Sequence, residues 1–137
     1  MYISETNVRV RYAETDQMGY VYYGNYAMYY EVARVESLRQ LGLTYRELEA
    51  MGVMMPVVEH SSRYKAPALY DELLTLRTTI KELPGVRIRF YYEIFNENKK
   101  LINEGETQLV FIDMKTNRPC RAPEAMTKLL TPFFNEV

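Results

Sequence analysis

One stretch of the chain changes period, and that change limits the fold more than any other feature. From about Asn25 to Leu41, Tyr26, Tyr30, Ala33, Ser37 and Leu41 recur at spacings of three and four. Such residues share one stripe of a helix. About 17 residues at 1.5 Å each give a helix of roughly 25 Å, enough to cross a sheet. Asn25 is the expected N-cap and Gly42 the residue just past the last turn. Thr44-Tyr-Arg-Glu47 reads as a capping box that opens a second, shorter helix, and Gly52 ends it.

Elsewhere the period is two. Val8, Val10 and Tyr12 fall on one face, with Asn7, Arg9 and Arg11 on the other, a half-buried strand. Val53 to Lys65 carries Pro56 and reads as an edge or entry strand. Leu73 to Lys81 follows, then Leu83-Pro-Gly-Val86 as a tight hairpin turn. Val86, Ile88, Phe90, Tyr92 and Ile94 alternate with polar neighbours. Asn96 to Lys99 is a second turn, and Leu101 to Asp113 a final long strand. Pro123 to Leu130 is a helical tail with proline at its start. The order is strand, long helix, short helix, then four strands in a meander. That order predicts an α+β domain, an antiparallel sheet covered by the long helix. The first strand is expected to re-enter the sheet away from its sequence neighbour. No repeat or linker interrupts residues 1–137, so one domain is expected.

Composition removes several function classes. Seventeen Lys and Arg against 18 Asp and Glu leave a net charge of −1, so no bulk positive field awaits nucleic acid. One cysteine, Cys120, and one histidine, His60, are too few soft ligands for a zinc site, and no metal is expected. No run approaches the roughly 18 apolar residues of a membrane span. The opening Met-Tyr-Ile-Ser-Glu-Thr-Asn has neither part of a secretory signal, and a cytoplasmic location is expected. Thirteen tyrosines and no tryptophan are the one oddity, with Tyr20, Tyr22, Tyr23, Tyr26, Tyr29 and Tyr30 clustered. Core packing and an interface or cleft both use tyrosine, and both readings stay open.

The strongest local signal is Tyr12-Ala-Glu-Thr-Asp16-Gln-Met-Gly19-Tyr-Val-Tyr-Tyr23-Gly24-Asn25-Tyr26, then Tyr30-Glu31-Val-Ala-Arg34. Asp16 ends a strand in a glycine-punctuated loop that feeds a helix start. A helix start offers unpaired N–H groups and a positive dipole end. Those donors can hold an oxyanion while a nearby carboxylate attacks or deprotonates water. The competing reading of Asp-x-x-Gly is a plain Asx turn.

These strings resemble the signature of the 4-hydroxybenzoyl-CoA thioesterase-like hotdog family, which includes the Tol-Pal-associated acyl-CoA thioesterases. Tyr64-Lys-Ala-Pro-Ala68 before Tyr70-Asp71, and Arg118-Pro-Cys-Arg-Ala-Pro123, extend the likeness over nearly the whole chain. The resemblance implies the hotdog fold, a curved antiparallel sheet wrapped around one long helix. It implies hydrolysis of an acyl-CoA thioester to free acid and CoA. Asp16 would be the catalytic carboxylate, as nucleophile or as general base. The backbone N–H of Tyr23 would bind the thioester carbonyl, and Gly24 would leave room for its approach. Arg121, in a segment that is basic in the family, would contact a CoA phosphate. No bound cofactor is implied, because CoA enters with the substrate; acyl carrier protein is the alternative carrier. Many family members have His where this chain has Tyr20 or Tyr23, and the benzoyl-specific branch has Tyr at the second of these.

Two other residues compete for the acid–base role. Glu31 lies on the long helix, where pairing with Arg34 is the simpler expectation. His60 is expected to be a satisfied structural histidine; with an acidic partner it would instead suggest a hotdog dehydratase. A non-catalytic acyl-binding module is the remaining alternative. An uncovered sheet edge and aromatic surface predict a homodimer or homotetramer with a shared site, its seam near Tyr22, Tyr23 and Tyr26.

Overall fold

The computed structural model describes residues 1–135. Strands β1 (Tyr2–Arg9), β3 (Val57–Tyr64), β4 (Leu73–Ile80), β5 (Arg87–Phe95) and β6 (Leu101–Val110) form one antiparallel sheet in the order β1-β4-β5-β6-β3. Strands β4, β5 and β6 are consecutive neighbours, a three-strand meander. β1 re-enters beside β4, from Tyr2 opposite Ile80 to Arg9 opposite Leu73. β3 closes the other edge, so the four-strand meander expected from the sequence is broken there. Short strands β2 (Val53–Met54), β7 (Ile112–Asp113) and β8 (Arg118–Pro119) make a second small sheet. The helices are α1 (Tyr26–Leu41), α2 (Tyr45–Ala50) and α3 (Glu124–Leu130).

Three element boundaries differ from the sequence reading, each for a local reason. Pro56 lacks a donor and splits the expected Val53–Lys65 strand, sending β2 to the small sheet. The Leu101–Asp113 strand divides at Phe111, whose N–H turns to Val86 O. The first strand starts at Tyr2, and Tyr12 lies in a 3₁₀ turn (Tyr12–Glu14), 77% exposed rather than on the buried face.

The alternation in β5 is realised: Ile88, Phe90, Tyr92 and Ile94 are all buried. Each such side chain contributes about 1.5–3 kcal/mol on burial. The α1 stripe is also realised and is wider than expected. Tyr26, Tyr29, Tyr30, Ala33, Arg34, Ser37 and Leu38 are buried, while Leu41 is half-buried. Tyr30 seats the helix on the middle of the sheet. Its ring stacks on Tyr92 at 4.3 Å and 4°. Its hydroxyl bonds Ser62 Oγ at 2.8 Å and donates to Asn103 Oδ1. Gly105 makes the seat possible, since a Cβ there would collide with the Tyr30 hydroxyl and the Ser61 carbonyl.

The helix ends divide differently. Gly42 terminates α1 with φ +112°, and its N–H bonds Leu38 O and Arg39 O. Asn25 makes no side-chain cap. Its Nδ2 donates to Glu14 O at 2.8 Å, and a 3₁₀ turn, Tyr23–Asn25, leads straight into the helix.

Candidate active site

The loop between β1 and α1 is tied at both ends. Thr15 and Val21 form an antiparallel bridge, and Asp16 N–H donates to Tyr20 O at 2.7 Å. Gly19, at φ +80°, makes the reversal between them. Asp16 Oδ1 accepts the N–H of Met18 at 2.9 Å and of Tyr20 at 3.3 Å. This is the Asx turn of the simpler reading. It occupies one oxygen only: among the described residues Oδ2 has no hydrogen bond.

Asp16 opens onto a cleft of about 390 Å³, lined also by Tyr20, Tyr23, Tyr26, Tyr64 and Lys65. Tyr26 and Tyr64 meet edge to face at 5.1 Å, and Tyr64 hydroxyl donates to Tyr23 O at 3.2 Å. Burial pushes the Tyr26 phenol up to about 12, so that ring stays uncharged at neutral pH. Tyr23 and Gly24 begin the 3₁₀ turn, and among the described residues no acceptor faces either N–H. The structure thus brings Asp16 and Tyr23, the first residue of the helix start, to one opening. A slightly larger groove of about 440 Å³ lies on the sheet face, lined by Arg63, Lys81, Tyr91 and Glu104 among others. It has no helix start.

Other expectations come out differently. The space beside Gly24 is taken by Tyr22: a Cβ would lie 2.8 Å from that ring. The glycine therefore makes room for an aromatic neighbour. Tyr26 belongs to the core rather than to a seam, while Tyr22 and Tyr23 remain exposed. Glu31 is exposed and does not pair with Arg34, which turns inward and donates from Nε to Tyr45 hydroxyl at 3.2 Å. His60 is not a satisfied core residue. It is exposed on β3, 5.5 Å from the Tyr30 ring, with no hydrogen bond or ion pair among the described residues.

Arg121 is not brought to the cleft. Its neighbours are pinned at the far end of β6, Cys120 N–H to Phe111 O and Ala122 N–H to Gly85 O. The Asp16 loop sits by the near end, where Val21 bonds Ala68 and Lys65 bonds Ile102. Nine residues of strand from Ile102 to Phe111 span roughly 30 Å.

Sequence reasoning passed over Glu14. It is 4% exposed, and its carboxylate is surrounded by donors. Burial raises its pKa, but the Arg11 N–H, the Tyr29 hydroxyl and the Arg11 guanidinium outweigh it and hold the group below its ordinary value. Arg11 at i−3 and Tyr29 on the buried helix face were the available signals.

The chain is similar to known proteins in sequence and in fold. The family described as the Thioesterase-like superfamily matches residues 10–130. The putative acyl-CoA thioesterase YneP of Bacillus subtilis is 34% identical over 133 residues, covering 97% of this chain and 96% of that protein. The acyl-CoA thioester hydrolase YbgC of Escherichia coli O157:H7 is 34% identical over 119 residues, 87% of this chain and 89% of that one. The crystal structure of DHNA-CoA thioesterase from Staphylococcus aureus superposes with a TM-score of 0.87 at 34% identity, covering 100% and 98% of the two chains. The family match over residues 10–130, the identity to these relatives and the shared fold make this chain a member of the thioesterase-like hotdog superfamily.

Proposed function

We propose that the protein hydrolyses acyl-CoA thioesters, with Asp16 as the reacting carboxylate. The observation that carries the reading is that Asp16, with its Oδ2 free, and Tyr23, with its N–H unpaired among the described residues, line one cleft. Oδ2 either attacks the thioester carbon, forming an anhydride that water then cleaves, or takes a proton from the attacking water. In both routes negative charge develops on the carbonyl oxygen, where the helix-start donors stabilise it. The C–S bond breaks as the carbonyl re-forms, and CoA leaves as a thiolate that takes up a proton. No metal or further cofactor is needed in this scheme. The names of YneP and YbgC support the CoA thioester as substrate. Acyl carrier protein would be an alternative carrier of the same bond. The single Cys120 suits a reducing compartment, and we assign the cytosol.

The assembly we propose is a homodimer that joins β3 to its copy. β3 is an edge strand whose residues are exposed except for a half-buried Ser62. Unpaired strand edges call for cover. The Tyr64 end of β3 lies at the Asp16 loop, and its Val57 end pairs with Leu109 near the Arg121 segment. Antiparallel pairing of two copies would lay the second copy's Val57 end beside the first copy's Tyr64. Arg121 of the partner subunit would thereby approach the cleft that Arg121 of the same chain cannot reach.

The test is release of CoA thiol from a panel of acyl-CoAs, aliphatic and aromatic. Asp16→Asn keeps the Asx turn and is expected to lose roughly 10²–10⁴-fold in kcat. A folded Asp16→Asn protein within about tenfold of wild type would overturn the assignment, as tenfold is only about 1.4 kcal/mol of barrier.

A further inference from the structure

We propose that Glu14 is the positioning residue of this site, the single group from which both reacting elements hang. The inference rests on the reading of Asp16 as the reacting carboxylate. Glu14 Oε1 accepts Arg11 N–H at 2.9 Å and Tyr29 hydroxyl at 2.8 Å. Oε2 accepts Arg11 Nε at 2.8 Å. Its own carbonyl accepts Tyr22 N–H at 2.9 Å and Asn25 Nδ2 at 2.8 Å. These bonds join the segment after β1, helix α1 and the 3₁₀ turn ahead of that helix.

The sequence places the chemistry one step from each anchor. Asp16 follows Glu14 with only Thr15 between them, and Thr15 is fixed by its bridge to Val21. Tyr23, which lines the cleft, directly follows Tyr22, whose N–H is held by the Glu14 carbonyl. The Glu14 carboxylate fixes residue 14 against Arg11 and helix α1, the Glu14 carbonyl holds Tyr22, and the separation between carboxylate and oxyanion donor follows through two short covalent links. Hydrogen bonds to an ionised acceptor are about twice as strong as neutral ones. Glutamine keeps its oxygen on Arg11 N–H and Tyr29 hydroxyl only by turning its amide N–H toward the Arg11 guanidinium, so the charged contact at Oε2 is lost and the remaining bonds go to a neutral acceptor.

Glu14 is buried and does not line the cleft, so its loss should act on turnover and not on binding. The experiment measures kcat and KM for wild type, Glu14→Gln, Tyr29→Phe and Asp16→Asn, using the acyl-CoA of the panel that turns over fastest. Near-ultraviolet circular dichroism checks that each is folded. A displacement of about 1 Å at a reacting centre can cost 10²-fold, so kcat of Glu14→Gln is expected to fall roughly ten- to hundredfold with KM within about threefold of wild type. Tyr29→Phe removes one donor and leaves Arg11 in place. It should give a smaller loss with the same division between kcat and KM. A folded Glu14→Gln protein with kcat within about twofold of wild type overturns the proposal. If Glu14→Gln does not fold, Tyr29→Phe decides, and an unchanged kcat overturns it. Asp16→Asn separates the two readings. If it keeps the wild-type rate, the carboxylate assignment fails and the positioning role falls with it. If it is inactive while Glu14→Gln is not slowed, only the positioning role fails.

Discussion

Asp16 and Glu14 are two residues apart and have opposite surroundings. Asp16 is part-exposed with one oxygen bonded in a turn, whereas both oxygens of Glu14 are enclosed by donors. The enclosed carboxylate gives the fold a pH dependence of definite sign. Its folded pKa is depressed, so its contribution is full above the unfolded value, near 4.3, and is lost as pH falls through the folded value. Wild type should therefore lose stability below about pH 4.3 more steeply than Glu14→Gln, which has no proton to take up there. Urea melts between about pH 3 and 7 measure this, and parallel stability curves for the two proteins would contradict it. Arg34 shows the same rule for a cation. A buried guanidinium needs acceptors, and here the Tyr45 hydroxyl supplies one where a surface pair with Glu31 was expected.

Among the elements, β5 and α1 were legible because burial imposes a period, and a period survives in a single sequence. The Asp16 loop was legible as a site only through its glycine, its carboxylate and its resemblance to a family. What stayed hidden depends on contacts between distant residues. Pro56 was visible as an edge or entry signal, but not that it would break the strand and that β2 would join β7 in another sheet. Glu14 lay among polar neighbours and looked like a surface turn, since Tyr29 reaches it only once α1 is docked. Gly105 is a further case. In sequence it interrupts β6 for no local reason, and in the fold it receives the Tyr30 hydroxyl. Gly105→Ala is expected to destabilise the protein by about 3 kcal/mol, because the collision is with backbone as well as side chain. A thermal melt reads this directly, and an unchanged midpoint would contradict the seat.

For the whole molecule, the polar β3 edge and the distant Arg121 carry one expectation. Sedimentation equilibrium at micromolar protein should give a dimer mass, and a monomer would rule out the shared cleft. Within that dimer Arg121→Ala should raise KM a few-fold with kcat unchanged, since a contact remote from the thioester is the same in ground and transition states. An exposed charge contact is worth roughly 0.5–1 kcal/mol, so a larger effect is not expected. The Tyr30 seat also acts as a fulcrum. Seven residues separate Tyr30 from Tyr23, a lever arm of about 11 Å at helical rise. Tilting α1 by about 5° about that point would swing the Tyr23 N–H by roughly 1 Å, the scale on which reaction rates fall 10²-fold. The absent side chain of Gly105, in the middle of a strand, thus lets the Tyr30 hydroxyl come to rest where it sets the aim of Tyr23, the proposed oxyanion donor, at the other end of that lever.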